Sequence, residues 1–240
     1  MINIYNIAFD EISFAERDVV FENIGDLSNP KPDLYEYHHI IKFYDESRTS
    51  WNENEFYGFL STNFYMKTGL EGNEILAKIG RNLNGKKIIL LNPWWRLFQS
   101  SMNSWHQGEE NHPGLIDCFL KCMNELKIEF EYEDLFANSK NTTYSNFFLA
   151  KPIIWDEWIR IVKVILHIAN DSNHYLNTAL NAPTKYKIGT SPKMLIFVLE
   201  RIINVLLAKK IKQKLHRLKR FLLQWIRLIV RLPTLKKLIG

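Results

Sequence analysis

At 240 residues, with 46% hydrophobic and 24% charged residues, the chain has a globular composition and enough length to bury a core in one large domain or two small ones. The formal net charge of +5 hides a division: residues 209–240 carry eleven Lys and Arg and no acid, and the remaining 20 basic and 26 acidic residues leave the body near −6. Charge therefore excludes treating the whole chain as a nucleic-acid binder, and two cysteines exclude a disulfide framework.

The opening residues lack the positive segment of a signal peptide and reach Asp10 quickly. Ile2, Ile4, Ile7 and Phe9 predict a buried first strand that breaks at an acidic segment. The stretch from Asp26 to Asp33 concentrates turn formers, and Pro30 and Pro32 keep the residues before them extended, so a rigid loop is expected. Asp33 is placed to cap a helix over 34–45, with Leu34, Tyr37, Ile41 and Tyr44 at helical spacing and Glu36 completing a capping box. The aromatic run Phe56-Tyr-Gly-Phe-Leu60 predicts a central strand in which Gly58 permits close backbone approach, followed by a loop over 61–69.

A helix over 71–79, a turn at Asn84-Gly85 and a buried strand over 87–91 come next, and the strand, helix, strand order predicts a parallel crossover. Residues 93–114, with Trp94, Trp95, Trp105, His106 and His112, are predicted to form a long functional loop. A helix over 115–127 sets Cys118 and Cys122 on one face as a reduced pair. Glu129, Glu131 and Glu133 alternate with apolar residues as on a strand with a solvated acidic face. A strand over 144–149, an amphipathic helix over 152–169 opened by Pro152, and a helix over 192–207 complete a body of one α/β domain, residues 1–208.

Candidate chemistry concentrates at Trp105-His-Gln-Gly-Glu-Glu-Asn-His112, where two carboxylates and two imidazoles share a Gly-punctuated stretch that could supply a general base. The spacing of His106, Glu109, Glu110 and His112 fits no metal motif, and a polar surface loop with capping roles is the competing reading. Asp26 and Asp33 follow the first strand, where open α/β sheets bind ligands, although a turn and a helix cap explain them equally. His38, His39, His167 and His174 fall within or beside helices and are read as hydrogen-bonding residues. No Asp-x-Asp triplet, Gly-rich dinucleotide loop, phosphate-binding loop or Gly-x-Ser-x-Gly elbow occurs.

In the tail, Ile211, Leu215, Leu218, Leu222, Ile226 and Ile229 repeat at steps of four and three, with Lys210, Lys214, Arg217, Arg220, Arg227 and Arg231 on the polar side and Trp225 among the apolar residues. This is the pattern of a basic amphipathic helix lying on an anionic membrane surface, where each basic side chain contributes about 1 kcal/mol. A docking face is the alternative; no aromatic-interleaved reading surface accompanies the charge, which speaks against nucleic acid. No run approaches the roughly 18 apolar residues of a spanning helix, so a cytoplasmic protein peripheral to the inner face of the cell membrane is expected.

Ile4-Tyr-Asn-Ile-Ala8, Asn29-Pro-Lys-Pro-Asp-Leu-Tyr-Glu-Tyr37, Phe56-Tyr-Gly-Phe-Leu-Ser61, Lys67-Thr-Gly-Leu70, His112-Pro-Gly114 and Asn146-Phe-Phe-Leu-Ala150 together resemble a bacterial family found among capsule and lipopolysaccharide genes. The order of parts over residues 1–208 is similar to glycosyltransferases of the GT-A type. The resemblance implies a GT-A-like, Rossmann-like, mostly parallel sheet flanked by helices, and transfer of a sugar from a nucleotide-sugar donor to a glycan or lipid-linked acceptor. It implies that Asn6, Asp26 and Asp33 face the nucleotide, that Glu109, Glu110 and His112 stand nearest the reacting carbon, and that Trp94, Trp105 and His106 meet the sugar or acceptor. Missing Asp-x-Asp leaves a divalent cation as an open cofactor question. A non-catalytic glycan- or partner-binding component of an assembly complex is the alternative.

Overall fold

The computed structural model describes residues 1–80, 83, 85–91, 103–136, 142–184 and 191–209. Its sheet is built around two of the strands that hydropathy marks. Strand β1 (Ile2–Ile7) pairs in parallel with the short β2 (Glu22–Asn23) on one edge and with β3 (Phe56–Ser61) on the other. Every residue from Phe56 to Leu60 is buried, as a strand covered on both faces requires. Tyr57 and Phe59 point into the larger apolar core and Phe56 and Leu60 into the smaller one, which follows the period of two. Gly58 leaves room for the Leu149 side chain, which a Cβ would strike.

The sheet is mixed. Strand β4 (Ile88–Leu90) runs in the same sense as β3, as the crossover expectation requires, but the two are not neighbours. Strand β5 (Phe148–Ala150) lies between them, antiparallel to both, giving the order β2-β1-β3-β5-β4. Three residues carry too little alternation to announce this insertion from sequence.

Helices α1 (Glu11–Glu16), α2 (Glu36–Ser47), α3 (Phe64–Thr68) and α4 (Gly72–Ile79) connect the first four strands. They are followed by α5 (Ser104–Asn111), α6 (Leu115–Glu125), α7 (Pro152–Asn170), α8 (Asn177–Asn181), α9 (Met194–Glu200) and a last helical run over 202–209. In α7 the predicted stripe of Trp155, Trp158, Ile161, Val162 and Ile165 is buried, each such side chain stabilising by about 1.5–3 kcal/mol. The Trp155 indole N–H also donates to the Tyr57 carbonyl (3.0 Å), which fixes the helix against the central strand. Cys118 and Cys122 are buried, free thiols on α6.

Several local expectations need correction: the predicted 61–69 loop holds helix α3, and the strand predicted over 144–149 forms only at Phe148–Ala150, because Ser145 takes a positive φ of 51°. Helix α2 begins at Glu36, not Leu34, because Pro32–Leu34 forms a 3-10 turn and Tyr35, at φ 48° and ψ −134°, takes the N-cap position; Asp33 is therefore no cap. The 93–114 loop is helical over Ser104–Asn111, since the Asn103 side chain accepts from the N–H groups of Trp105 and His106 and nucleates α5; Trp94 and Trp95 lie outside the described residues. The acidic 129–133 segment is no strand: Tyr132–Leu135 is a 3-10 helix with Glu131 and Asp134 in reciprocal capping. The predicted 192–207 helix is interrupted at Arg201.

Candidate functional site

Connections from β1 and β3 leave toward opposite edges of the sheet, so a topological switch falls between these two strands, and their carboxyl ends are where an open α/β sheet offers a crevice. Among the described residues, three cavities lie there. One of about 400 Å³ is walled by Asn6, Asp18, Phe21, Ser61, Phe64 and Gly72. Its loop is tied down: the Asn6 side-chain amide donates to the carbonyls of Asp18 and Phe21, and the Gly72 N–H donates to the Asp18 carboxylate at 2.6 Å.

The other two, of about 280 and 190 Å³, share Lys67, Ser145, Phe147, Phe197 and Glu200 and adjoin as the two parts of a crevice. Asp10, Tyr35, Glu36 and Asn146 line the larger part; Ser104, Gln107, His112, Thr143, Tyr144 and Arg201 line the smaller. Backbone strain gathers here. Tyr35 and Ser145, both non-glycine residues, hold φ of 48° and 51°, and such conformations cost on the order of 1–3 kcal/mol each and persist where the surroundings over-determine them.

A buried polar seam supplies that constraint beside Ser145. Ser104 Oγ and Thr142 Oγ1 lie 2.5 Å apart, the Thr143 N–H donates to the Asn204 side chain (2.9 Å), and the Asn204 amide donates to Ser104 Oγ (3.1 Å) and the Thr143 carbonyl (3.3 Å). The seam fastens α5 and the chain entering β5 to the last helical run, and so sets Tyr144, Ser145 and Asn146 against the crevice. Arg201 extends it. Its guanidinium donates to the carbonyls of Phe197 (2.9 Å) and Ser104 (3.0 Å), faces Glu200 at 3.4 Å, and keeps an Nε with no hydrogen-bond partner among the described residues. Burial pushes its pKa down, as expected for a cation 4% exposed. A Cβ on Gly108 would collide with this guanidinium, which explains glycine within α5.

Glu36, half-buried at the start of α2, has its carboxyl raised by burial, with Lys67 opposing and Glu200 reinforcing the shift. Lys67 is exposed on α3, its ammonium 5.4 Å from the Phe147 ring centroid. The crevice thus joins two cations to several carboxylates at an aromatic wall, a mixture suited to a charged, partly apolar ligand.

Of the residues that sequence motifs nominate, His112 lines the crevice, stacked on Phe197 at 3.4 Å between ring centroids, and Asn6 walls the 400 Å³ cavity. Trp94 lies outside the described residues, and the other described ones do not line it. Glu109 accepts from the N–H groups of Gly114 (2.7 Å) and Ile116 (2.8 Å) and serves as a cap for α6; Glu110 is exposed beside His106, whose Nδ1 lies 3.5 Å from its carboxylate. Trp105 is core, 1% exposed and edge-on to Phe119. Asp26 is held down to about 2 by the hydroxyl and N–H of Ser28 and pairs with Lys42, and Asp33 pairs with Lys193 at 3.0 Å.

Sequence reasoning missed Lys67, Glu36, Glu200 and Arg201 as site residues. The available signal for the last two was a charged pair inside the run from Met194 to Ala208, apolar but for that pair and Asn204, where each charge needs a partner or a purpose. Comparison with protein-family models, curated proteins and solved structures finds no match for this chain.

Proposed function

We propose that the chain is a GT-A-like glycosyltransferase of bacterial surface-polysaccharide synthesis, of the capsule or lipopolysaccharide kind, that moves a sugar from a nucleotide-sugar donor to a glycan or lipid-linked acceptor. The observation carrying this reading is the strained, two-part crevice at the carboxyl ends of β1 and β3, the position at which α/β sheets take nucleotides. The motifs that resemble the family, among them Asn29–Tyr37, Lys67–Leu70 and Asn146–Ala150, supply Tyr35, Glu36, Lys67 and Asn146 to that crevice.

On this reading the carboxylate that takes the acceptor hydroxyl proton is Glu36 or Glu200, which face the crevice, in place of Glu109 and Glu110. The carboxyl of Glu36, raised by burial, suits such a base. The basic stretch 210–240 lies outside the described residues; its amphipathic pattern supports a peripheral position on an anionic membrane surface, beside a lipid-linked acceptor. Among the described residues no helix is long and apolar enough to cross a membrane.

Thermal unfolding with uridine, guanosine and adenosine diphosphates and their sugar conjugates tests the reading, because a ligand of the native state must raise the melting temperature. Stabilisation by one nucleotide-sugar class is expected. No shift with any of them favours a non-catalytic glycan- or partner-binding role, to which the structural use of Glu109 as a helix cap already lends support.

A further inference from the structure

We infer that the smaller part of the crevice is an anion subsite, in which Lys67 and Arg201 hold the diphosphate of the donor without a divalent cation between them. This rests on the nucleotide-sugar reading above for the identity of the anion, but the binding chemistry stands on the cavity itself. At about 190 Å³ it falls below the roughly 300 Å³ at which drug-sized ligands are enclosed, so it suits a fragment of a ligand whose remainder lies in the adjoining 280 Å³.

Its polar lining favours an anion. Lys67 and Arg201 bring two cations from separate elements, and Gln107, Thr143, Tyr144 and Ser145 bring neutral polar groups; Glu200 is the one carboxylate among the described lining residues. Arg201 is 4% exposed yet lines the cavity, and its Nε–H is buried and unclaimed by any described residue, so its charge is incompletely compensated within the fold and attracts an anion at the cavity wall. A phosphate offers the planar guanidinium and the mobile ammonium complementary acceptors, and charge-assisted bonds to it are about twice as strong as neutral ones. Among the described residues no three His, Cys, Asp or Glu side chains converge on a possible metal position. Glu200, 3.4 Å from Arg201 Nη1, holds the empty guanidinium and opposes an incoming anion.

That opposition supplies a discriminating test. Calorimetric binding of inorganic pyrophosphate, uridine diphosphate and a uridine diphosphate sugar to the full chain in EDTA is compared across wild type, Lys67→Met, Lys67→Arg and Glu200→Gln. Lys67 is exposed, so its variants leave the core intact. Expected are binding without metal, a loss on the order of tenfold in Lys67→Met, recovery in Lys67→Arg, and tighter binding in Glu200→Gln. Binding that needs an added divalent cation, or that Lys67→Met leaves unchanged, overturns the subsite, as does weaker binding in Glu200→Gln. If pyrophosphate behaves as expected while uridine diphosphate and its sugar bind no more tightly, the subsite stands and the nucleotide-sugar reading falls. If the nucleotide sugar binds equally to wild type and Lys67→Met, the reading stands and the subsite falls.

Discussion

Glu109 shows how a carboxylate in a suggestive motif can be occupied elsewhere. Both its oxygens accept backbone N–H groups at the start of α6, so Glu109→Gln is expected to lower stability by about 1 kcal/mol, seen as an earlier urea midpoint, without altering ligand affinity measured below that midpoint. A change in affinity at unchanged stability would return Glu109 to the site. Asp156 makes a second residue-scale case. The Arg48 guanidinium, and then the Tyr44 hydroxyl at 2.7 Å, hold its carboxyl below the usual range, while burial and the Asp156 carboxylate push Tyr44 up to about 12. A depressed carboxylate stabilises the fold above its unfolded pKa and loses that contribution as pH falls through the folded pKa. With Asp156 40% exposed, Asp156→Asn should cost only about 0.5–1 kcal/mol near pH 7, and urea unfolding should show the difference shrinking toward pH 3. At this scale His112 and Asn6, both nominated from sequence, stand at cavity walls, Asn6 with its amide spent on the Asp18 and Phe21 carbonyls, whereas Tyr35 and Ser145 were not legible, because positive φ at a non-glycine residue is imposed by tertiary packing and leaves no compositional mark.

Long elements with strong periodicity were legible because packing and pattern agree: α7 carries its stripe over five turns, and β3 is apolar on both faces. Short elements were read only in part, β4 within the predicted 87–91 and β5 at the end of the predicted 144–149 with no sign of its antiparallel place, and polar ones were missed. Strand β5 spans three residues, and α5 reads as a loop because Gly108, His106 and its two glutamates outweigh its buried Trp105 face. What starts α5 is the Asn103 cap, whose Oδ1 takes two N–H groups while its amide donates to the Leu135 carbonyl at 2.9 Å. Asn103→Ala should therefore cost about 1–2 kcal/mol in chemical denaturation, and Asn103→Asp, which keeps the acceptor and loses the donor, should cost less. Equal losses would mean that the link to Leu135 outweighs the cap. The break at Arg201 is a matter of the same scale: the charged pair ends α9, and the next helical run carries Asn204 into the seam that shapes the crevice.

For the molecule as a whole, the division of charge that opens the sequence has a consequence the fold makes concrete. An acidic α/β body carries its crevice at one end of the sheet, and the chain leaves it through residues 202–209, which continue from Arg201 into the basic stretch. Removing residues 210–240 should abolish sedimentation with vesicles rich in anionic lipid while preserving nucleotide binding; retained sedimentation would remove the tail from the membrane account. The central claim is that one crevice, assembled from segments far apart in sequence, takes a nucleotide sugar. Hydrogen exchange of the full chain with and without the stabilising nucleotide sugar tests it most directly. Slowed exchange is predicted together in residues 9–10, 35–37, 61–67, 143–147 and 194–201. Slowing confined to 26–33 and 105–110, or none at saturating ligand, would contradict it.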